Sequence, residues 1–491
     1  MGTKVYDNYA DLITFNRNSK GTALRPIGYG DELVTNGTFD TDSDWAEGGL
    51  WTISGGVATQ PAGASPDYLK QSDVLTIGKV YQYSIEVVSG NGSNFPQLYT
   101  EAGVVTSFLS GVGTYTGIFV AAGNDVWIRA LSPAIDVSVD NVSVKEVLFD
   151  REGDPLTLFL HPEGVPRIEY DADRNLKGLL IEPDGQNAMF PSIPDTTWNN
   201  TSSVTITTDD SVAPDGTTTA TKVEGIGSWI YRNTVIGTDT GTWTFSCWVK
   251  AVTVGTNNTF RLTVGGNNLS GNLTATGEWQ RFEFTYTDGG GSSNGLLRDS
   301  SSNDADLYVW GAQLEESPIA TSYIPTTTAS VNRLKDDITQ TGAQSLIGQT
   351  EGTLYLEVDW RSTSGANQIL LSVNDGTSSN RMLIYNSSGG TLTMRAQANG
   401  ITVTEQGESS SAYSGIQKIA FAYKTDDFEL YRNGSSISSD TSGSLALLAT
   451  MTDVDLGQSF TASIPANMHI RAVAIYPTRL SDAECEALTT L

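Results

Sequence analysis

The sequence predicts an all-β protein, built of tandem β-sandwich modules and closing on one short helix. Three observations carry that prediction. The first is a design that occurs twice. One copy runs from Thr76-Ile77-Gly78-Lys79-Val80-Tyr81 into Ser84-Ile85-Glu86-Val87, then Gly113-Thr114-Tyr115, then Val137-Ser138-Val139-Asp140-Asn141-Val142. The other runs from Asp239-Thr240-Gly241-Thr242-Trp243 into Ser246-Cys247-Trp248-Val249, then Gly277-Glu278-Trp279, then Leu307-Tyr308-Val309-Trp310-Gly311-Ala312. Both follow one order: a turn, an aromatic-led strand, a Gly-x-aromatic strand start and a final alternating strand. The second observation is composition. The 491 residues include 50 Gly but only 16 Pro, Ser and Thr are abundant, and helix-forming runs are nearly absent before the last dozen residues. Such a chain suits short strands joined by tight turns. The third is period-two alternation in the C-terminal third, where Leu354, Leu356 and Val358 share one face of Thr353–Trp360.

The length accommodates roughly three or four domains at about 150 residues each. Residues 1–30 form a lead with one strand-like phrase, Asp11-Leu12-Ile13-Thr14-Phe15-Asn16-Arg17, and 31–147 the first module. Residues 148–186 form an extended connector, in which prolines at 155, 162, 166 and 183 oppose helix while Ile168, Tyr170, Leu179 and Ile181 keep an apolar alternation. The second module spans 187–325, a polar linker 326–344, and the third domain 345–491. In that domain Asn374-Asp375-Gly376 and Asn433-Gly434 sit between strand-like runs and predict hairpin turns. Ser481-Asp482-Ala483-Glu484 has the form of a capping box and predicts the terminal helix.

Charge and targeting signals exclude several classes. With 56 acidic against 28 basic residues the net charge is −28, which opposes binding to phosphate backbones and to anionic membranes. No apolar run approaches the roughly 20 residues of a membrane span. The start, Met1-Gly2-Thr3-Lys4-Val5-Tyr6-Asp7, has no apolar signal core and no myristoylation pattern. Only Cys247 and Cys485 occur, and no disulfide is expected between a strand residue and a residue of the terminal helix. The expectation is a protein made in a host cytoplasm and exposed outside the cell after lysis, as virion proteins are. Nucleic acid and membrane insertion are not expected.

Residues 353–488 resemble a concanavalin A/laminin-G-like domain, with the Phe428–Gly434 hairpin and the strand-then-helix ending at Ser481–Leu488 as landmarks. The two repeated modules resemble carbohydrate-binding-module-like jelly rolls. A wider resemblance is to tailed-phage structural proteins, in which five phrases recur in order. They are Leu12-Ile13-Thr14-Phe15-Asn16-Arg17-Asn18-Ser19, Pro166-Arg167-Ile168-Glu169-Tyr170-Asp171, Gly178-Leu179-Leu180-Ile181-Glu182-Pro183, Tyr308-Val309-Trp310-Gly311-Ala312-Gln313-Leu314-Glu315 and Thr321-Ser322-Tyr323-Ile324-Pro325-Thr326. The first module, lying between the first and second phrases, looks like an insertion. The resemblance implies tandem jelly-roll β-sandwiches in a virion structural protein: a tail fibre or receptor-binding adhesin for host surface polysaccharide, or else a head fibre or capsid decoration. It further implies other virion proteins as partners and a homo-oligomer, with a trimer favoured; the lead and the connector are the candidate docking segments.

Sugar-binding jelly rolls stack the C–H face of a pyranose on an exposed aromatic ring. Trp45 and Trp51 in the first module, and Trp198 and Trp229 in the second, lie in polar or Gly-rich surroundings and are the candidate platforms; Trp243, Trp248, Trp279 and Trp310 are assigned to the core. Asp40, Asp42 and Asp44 alternate as calcium-loop ligands do, but Trp45 and Trp51 stand where an EF-hand has Gly and Glu, so calcium here would be structural. No other cofactor is expected. His161 and His469 have no recognisable Ser or Cys partner, and no hydrolase, zinc-protease or Walker motif occurs. A polysaccharide depolymerase needs only two carboxylates about 5–10 Å apart, so it stands as a second alternative, but the chain is read as a non-enzyme.

Overall fold

The structure, a computed structural model, describes residues 14–61, 67–90, 96–106, 109, 111–130, 136–200, 204–227, 229–236, 241–266, 268–287, 291–301, 303–360, 367–409, 415–445, 450–458 and 466–491. The Asp11–Ile13 part of the predicted first strand lies outside them. Strands dominate, and the described residues hold one helix, Asp482–Thr489. No helix among them is long and apolar enough to cross a membrane. The chain divides into two compact units. One is Arg25–Leu156; the other joins Met1–Leu24 to Thr157–Leu491.

Arg25–Leu156 is a two-sheet sandwich. In one sheet the aromatic-led strand Val80–Gly90 lies between Gly113–Val120 and Val137–Phe149. The hairpin Thr52–Ser54/Val57–Gln60 joins on the far side of Val137–Phe149. The other sheet runs Ala46–Glu47, Asp67–Gln71, Val126–Ala130, Gln97–Thr100, Gly103–Val104. Tyr81, Ile85, Val87, Val139 and Val144 from the first sheet meet Leu69, Leu98 and Ile128 from the second in a common core.

The second module repeats this strand for strand. Thr242–Ala251 lies between Gln280–Thr287 and Leu307–Glu315, and the hairpin Thr205–Ser211/Ala220–Glu224 joins beyond Leu307–Glu315. Its opposing sheet runs Asn199–Asn200, Trp229–Ile236, Gly291–Arg298, Thr259–Val264, Asn268–Leu269. The match extends to a backbone irregularity. The fifth residue of each closing phrase, Asn141 or Gly311, has positive φ (49° and 65°), and in both copies the register to the central strand slips there, as a β-bulge requires.

The third domain is two packed seven-stranded sheets among the described residues. Leu354, Leu356, Val358, Phe421, Ile384 and Met394 are fully buried between them. Asn433 and Gly434, both at positive φ (49° and 85°), make the predicted tight hairpin turn. Ser481 and Glu484 form the capping box of the terminal helix. Through Cys485 that helix covers Tyr355, Ala420, Ala422 and Tyr431.

The domain borders differ from the expectation: the first unit takes in 25–30 of the expected lead and 148–156 of the expected connector. Segments read as lead, connector and linker are strands of the third domain. Thr14–Asn16 and Asp337–Gln340 extend one sheet, and the hairpin Ile168–Tyr170/Leu176–Ile181 extends the other. Their few apolar residues explain the recruitment. Ile181 and Ile338 are fully buried in the core, and Phe15 and Leu179 pack against it.

Candidate functional site

The central strand of the second module alternates strictly. Phe245, Cys247 and Val249 are fully buried in the sandwich core, so Ser246, Trp248 and Lys250 point to the opposite face of the sheet. On that face Trp248 stands opposite Trp310 on one neighbouring strand and Arg281 on the other. Gly311 makes room for the indole, because a Cβ there would lie 3.1 Å from its Cδ1. Trp248 is half-buried, and its buried Nε1 donor has no partner among the described residues. Beside it, Arg281 donates from Nη1 to the Thr321 carbonyl at 2.7 Å and from Nη2 to Ser246 Oγ at 3.0 Å.

Trp248 and Arg281 form one wall of a cavity of about 680 Å³ within the discontinuous unit. The facing wall comes from the third domain and the connector hairpin: Glu169, Tyr170, Asp171, Lys177, Asp359 and His469. Glu169 accepts from His469 Nε2 at 2.5 Å and from Lys177 Nζ at 3.0 Å. Burial pushes the Glu169 carboxyl up, but these two partners outweigh it and leave it below the usual range. Asp171 is also held low, through bonds from the Asn175 side chain and main chain at 3.0 and 2.8 Å. Asp359, half-buried and registered opposite His469, has no side-chain partner among the described residues.

Beneath the cavity sits a buried ionic cluster that reaches it through Thr22, Glu182 and Ser322. Arg167, fully buried, donates to Glu182 at 2.7 Å, to Ser322 Oγ at 2.6 Å, to the Thr22 carbonyl at 3.2 Å and to Asp336. Arg17 bonds Asp336 at 3.1 Å and the Pro162 carbonyl at 2.9 Å, and Arg333 bonds the Pro183 carbonyl at 2.6 Å. Ser322 closes the set by donating its main-chain N–H and its hydroxyl to Glu182 at 2.7 and 2.6 Å. Burial and the neighbouring Arg167 lower the Arg17 guanidinium to about 10, still charged at neutral pH. Four of the five phrases singled out in the sequence thus converge, each contributing one side chain: Arg17, Arg167, Glu182 and Ser322.

Three of the four candidate tryptophan platforms lie elsewhere, inside cores. Trp45 packs on Phe39 at 5.5 Å and donates to the Asn36 carbonyl at 3.1 Å, and Trp51 is 2 % exposed in the same core. Trp198, also 2 % exposed, plugs the second core and donates to the Pro191 carbonyl at 3.3 Å. Their rings have no open face to offer a sugar, because polar flanking residues in turns mask how deeply a single large ring inserts. Trp229 is half-buried, edge-on to Tyr231 at 6.3 Å, and remains a candidate surface outside the cavity.

The Asp40, Asp42 and Asp44 carboxylates do not assemble into a ligand set. Asp40 accepts from Thr38 and Asp44 from Ser43, at 2.7 and 2.6 Å, while Asp42 approaches Glu47. No group of three His, Cys, Asp or Glu side chains that could hold a metal exists among the described residues. Trp248 was missed as a site residue, although the core-facing parity of Phe245, Cys247 and Val249 signals its outward orientation. His161 is buried and His469 is in the cavity wall.

Residues 335–485 match the sequence family described as the concanavalin A-like lectin/glucanases superfamily. No curated protein matches the chain. Among solved structures, the CBM40 of the Ruminococcus gnavus IT-sialidase is similar at 19% identity, covering 30% of this chain and 86% of that one, with a TM-score of 0.27. The tandem CBM22 domains of Paenibacillus barcinonensis Xyn10C are similar at 12% identity, covering 59% and 98%, with a TM-score of 0.21. Trypanosoma rangeli sialidase is similar at 9% identity, covering 90% and 83%, with a TM-score of 0.26. At these values the likenesses carry no inference about ligand or reaction.

Proposed function

We propose that this chain is a glycan-binding structural protein of a tailed-phage virion, a tail fibre or receptor-binding adhesin, and that it holds sugar in the Trp248 cavity. The observation that carries the reading is the cavity itself, which sets the Trp248 indole, with Tyr170 and Tyr323, among many fixed polar groups, the mixture that a pyranose with its C–H face and hydroxyl edge requires. The concanavalin-like match over 335–485 and the phage-type phrases that meet in the ionic cluster support it. The reading includes a homo-oligomer, with a trimer favoured, in which avidity multiplies weak single-site contacts.

A screen of the purified protein against host-surface polysaccharides tests the binding. The expected result is a hit that Trp248→Ala abolishes and Trp229→Ala leaves intact. Immunogold labelling of virions tests the location. Label at the tail tip supports the adhesin, and label over the capsid replaces it with a head fibre or decoration protein. Release of reducing ends from a bound polysaccharide would replace the binding role with a depolymerase.

A further inference from the structure

Charge narrows what the cavity accepts, given the reading above that it holds a glycan. Its wall carries Glu169, Asp171, Glu182, Glu283 and Asp359 against only two permanent cations, Lys177 and Arg281. Lys177 is paired with Glu169 at 3.0 Å, while Arg281 spends Nη1 and Nη2 on the neutral Thr321 carbonyl and Ser246 Oγ and its Nε–H has no partner among the described residues. The arginines behind Glu182 do not line the cavity, and they are held by Glu182, Asp336 and main-chain carbonyls. A carboxylate-bearing sugar entering here would meet five wall carboxylates against Arg281 and an already paired Lys177, and so would lie mostly among like charges, inside a protein of net charge −28. Besides the Arg281 Nε–H, two groups in the wall lack partners among the described residues: the Asp359 carboxylate and the Trp248 Nε1–H. One wants a donor and the other an acceptor. A hydroxyl or acetamido group can serve both, and an ammonium group serves Asp359 with added charge attraction.

We infer that the cavity selects neutral or amino-bearing glycans and rejects acidic ones, with Asp359 as the residue that reads the donor. The test uses the full chain and three oligosaccharide classes of matched length: a neutral N-acetylated form, its de-N-acetylated amine form and a uronic acid form, with binding measured by calorimetry. The neutral or the amine form is expected to bind at least tenfold more tightly than the acidic form, with the binding lost in Trp248→Ala. Asp359→Asn, isosteric and without the charge, is expected to keep the wild-type melting temperature and to weaken amine binding at least tenfold. Acidic oligosaccharide binding as tightly as the others overturns the inference while leaving a glycan-binding cavity. Asp359→Asn without effect on amine binding overturns the role of Asp359. Binding that survives Trp248→Ala, or no binding by any class, overturns the cavity reading and the inference with it.

Discussion

Arg167 has no solvent exposure, and its guanidinium is shared between Glu182 and Asp336. Removing it would leave Asp336 to Arg17 alone and Glu182 to Ser322 and the longer 3.6 Å contact with Arg333, with one positive charge lost from the interior. Breaking a buried ion pair from one side costs about 3–5 kcal/mol, because the remaining charge keeps its desolvation penalty. Arg167→Ala is therefore expected to lower the urea midpoint by a corresponding amount. The same cluster sets an acid limit. Burial pushes the Glu182 carboxyl up, but Arg333 and Arg167 overcome that and hold it far below its ordinary value of 4.5. A carboxyl lowered in the folded state stabilises the protein above its unfolded value, and that stability is lost as pH falls toward the folded value. Melting temperatures recorded between pH 7 and pH 3 should hold above about 4.5 and decline below it, with a shallower decline in Glu182→Gln. The two thiols make a separate prediction. Burial pushes the Cys247 thiol far up and that of Cys485 to about 11, so neither should react with a thiol reagent at neutral pH until the chain is unfolded.

At the scale of the strand, side-chain parity separates tryptophans that hold the fold together from those that face outward. Trp198 fills the second core, and its replacement by alanine should cost about 3–5 kcal/mol. Trp248 stands on the other face of the same module, so Trp248→Ala should lower the melting temperature far less while removing glycan binding. Calorimetric melting of both variants, with a binding assay on each, checks the contrast. Much at this scale was legible in the sequence. The Asn433-Gly434 turn, the Asp375-Gly376 hairpin, the capping box at Ser481 and the twofold module all rest on local patterns that the structure keeps. What stayed hidden needed partners distant in sequence. Ile338 gives a strand too short to signal itself, and the strand-like phrase around Phe15 does not reveal its partner; the two pair Thr14 to Thr339 and Phe15 to Ile338. The cavity combines residues from six or more separate segments, and no spacing rule links Trp248 to Asp359. The depth of Trp45, Trp51 and Trp198 was misjudged for a related reason, since turn composition reports on the backbone and not on where a ring is inserted.

At the scale of the molecule, one unit is continuous in sequence and the other is interrupted by it. Leu24 and Leu158, which flank Arg25–Leu156, pack against one small cluster with Trp310 and Tyr323, so the interrupted unit keeps the ends of the gap together by its own contacts. Replacing Arg25–Leu156 with a short Gly-Ser link should leave the rest folded, and a retained near-ultraviolet signal with cooperative melting would verify it. The twin sandwiches also show one scaffold carrying unlike faces. Trp248 and Trp310 pair across the second, and the matching positions of the first hold Glu86 and Asp140.

The bond between Arg17 and Asp336 spans 319 residues of chain. At roughly 5–20 residues per second on the ribosome, about 15–60 s separate the emergence of the two partners. Arg25–Leu156 has its whole sequence in hand during that wait and can complete its sandwich, while Thr14–Asn16 stays without the strand it pairs with. A chain abandoned before residue 336 leaves Arg17 and Arg167 without the carboxylate they share, and the strand Thr14–Asn16 unmatched. Premature products are thereby marked as unfinished by their own earliest residues, and only a chain translated past this point can close the fold.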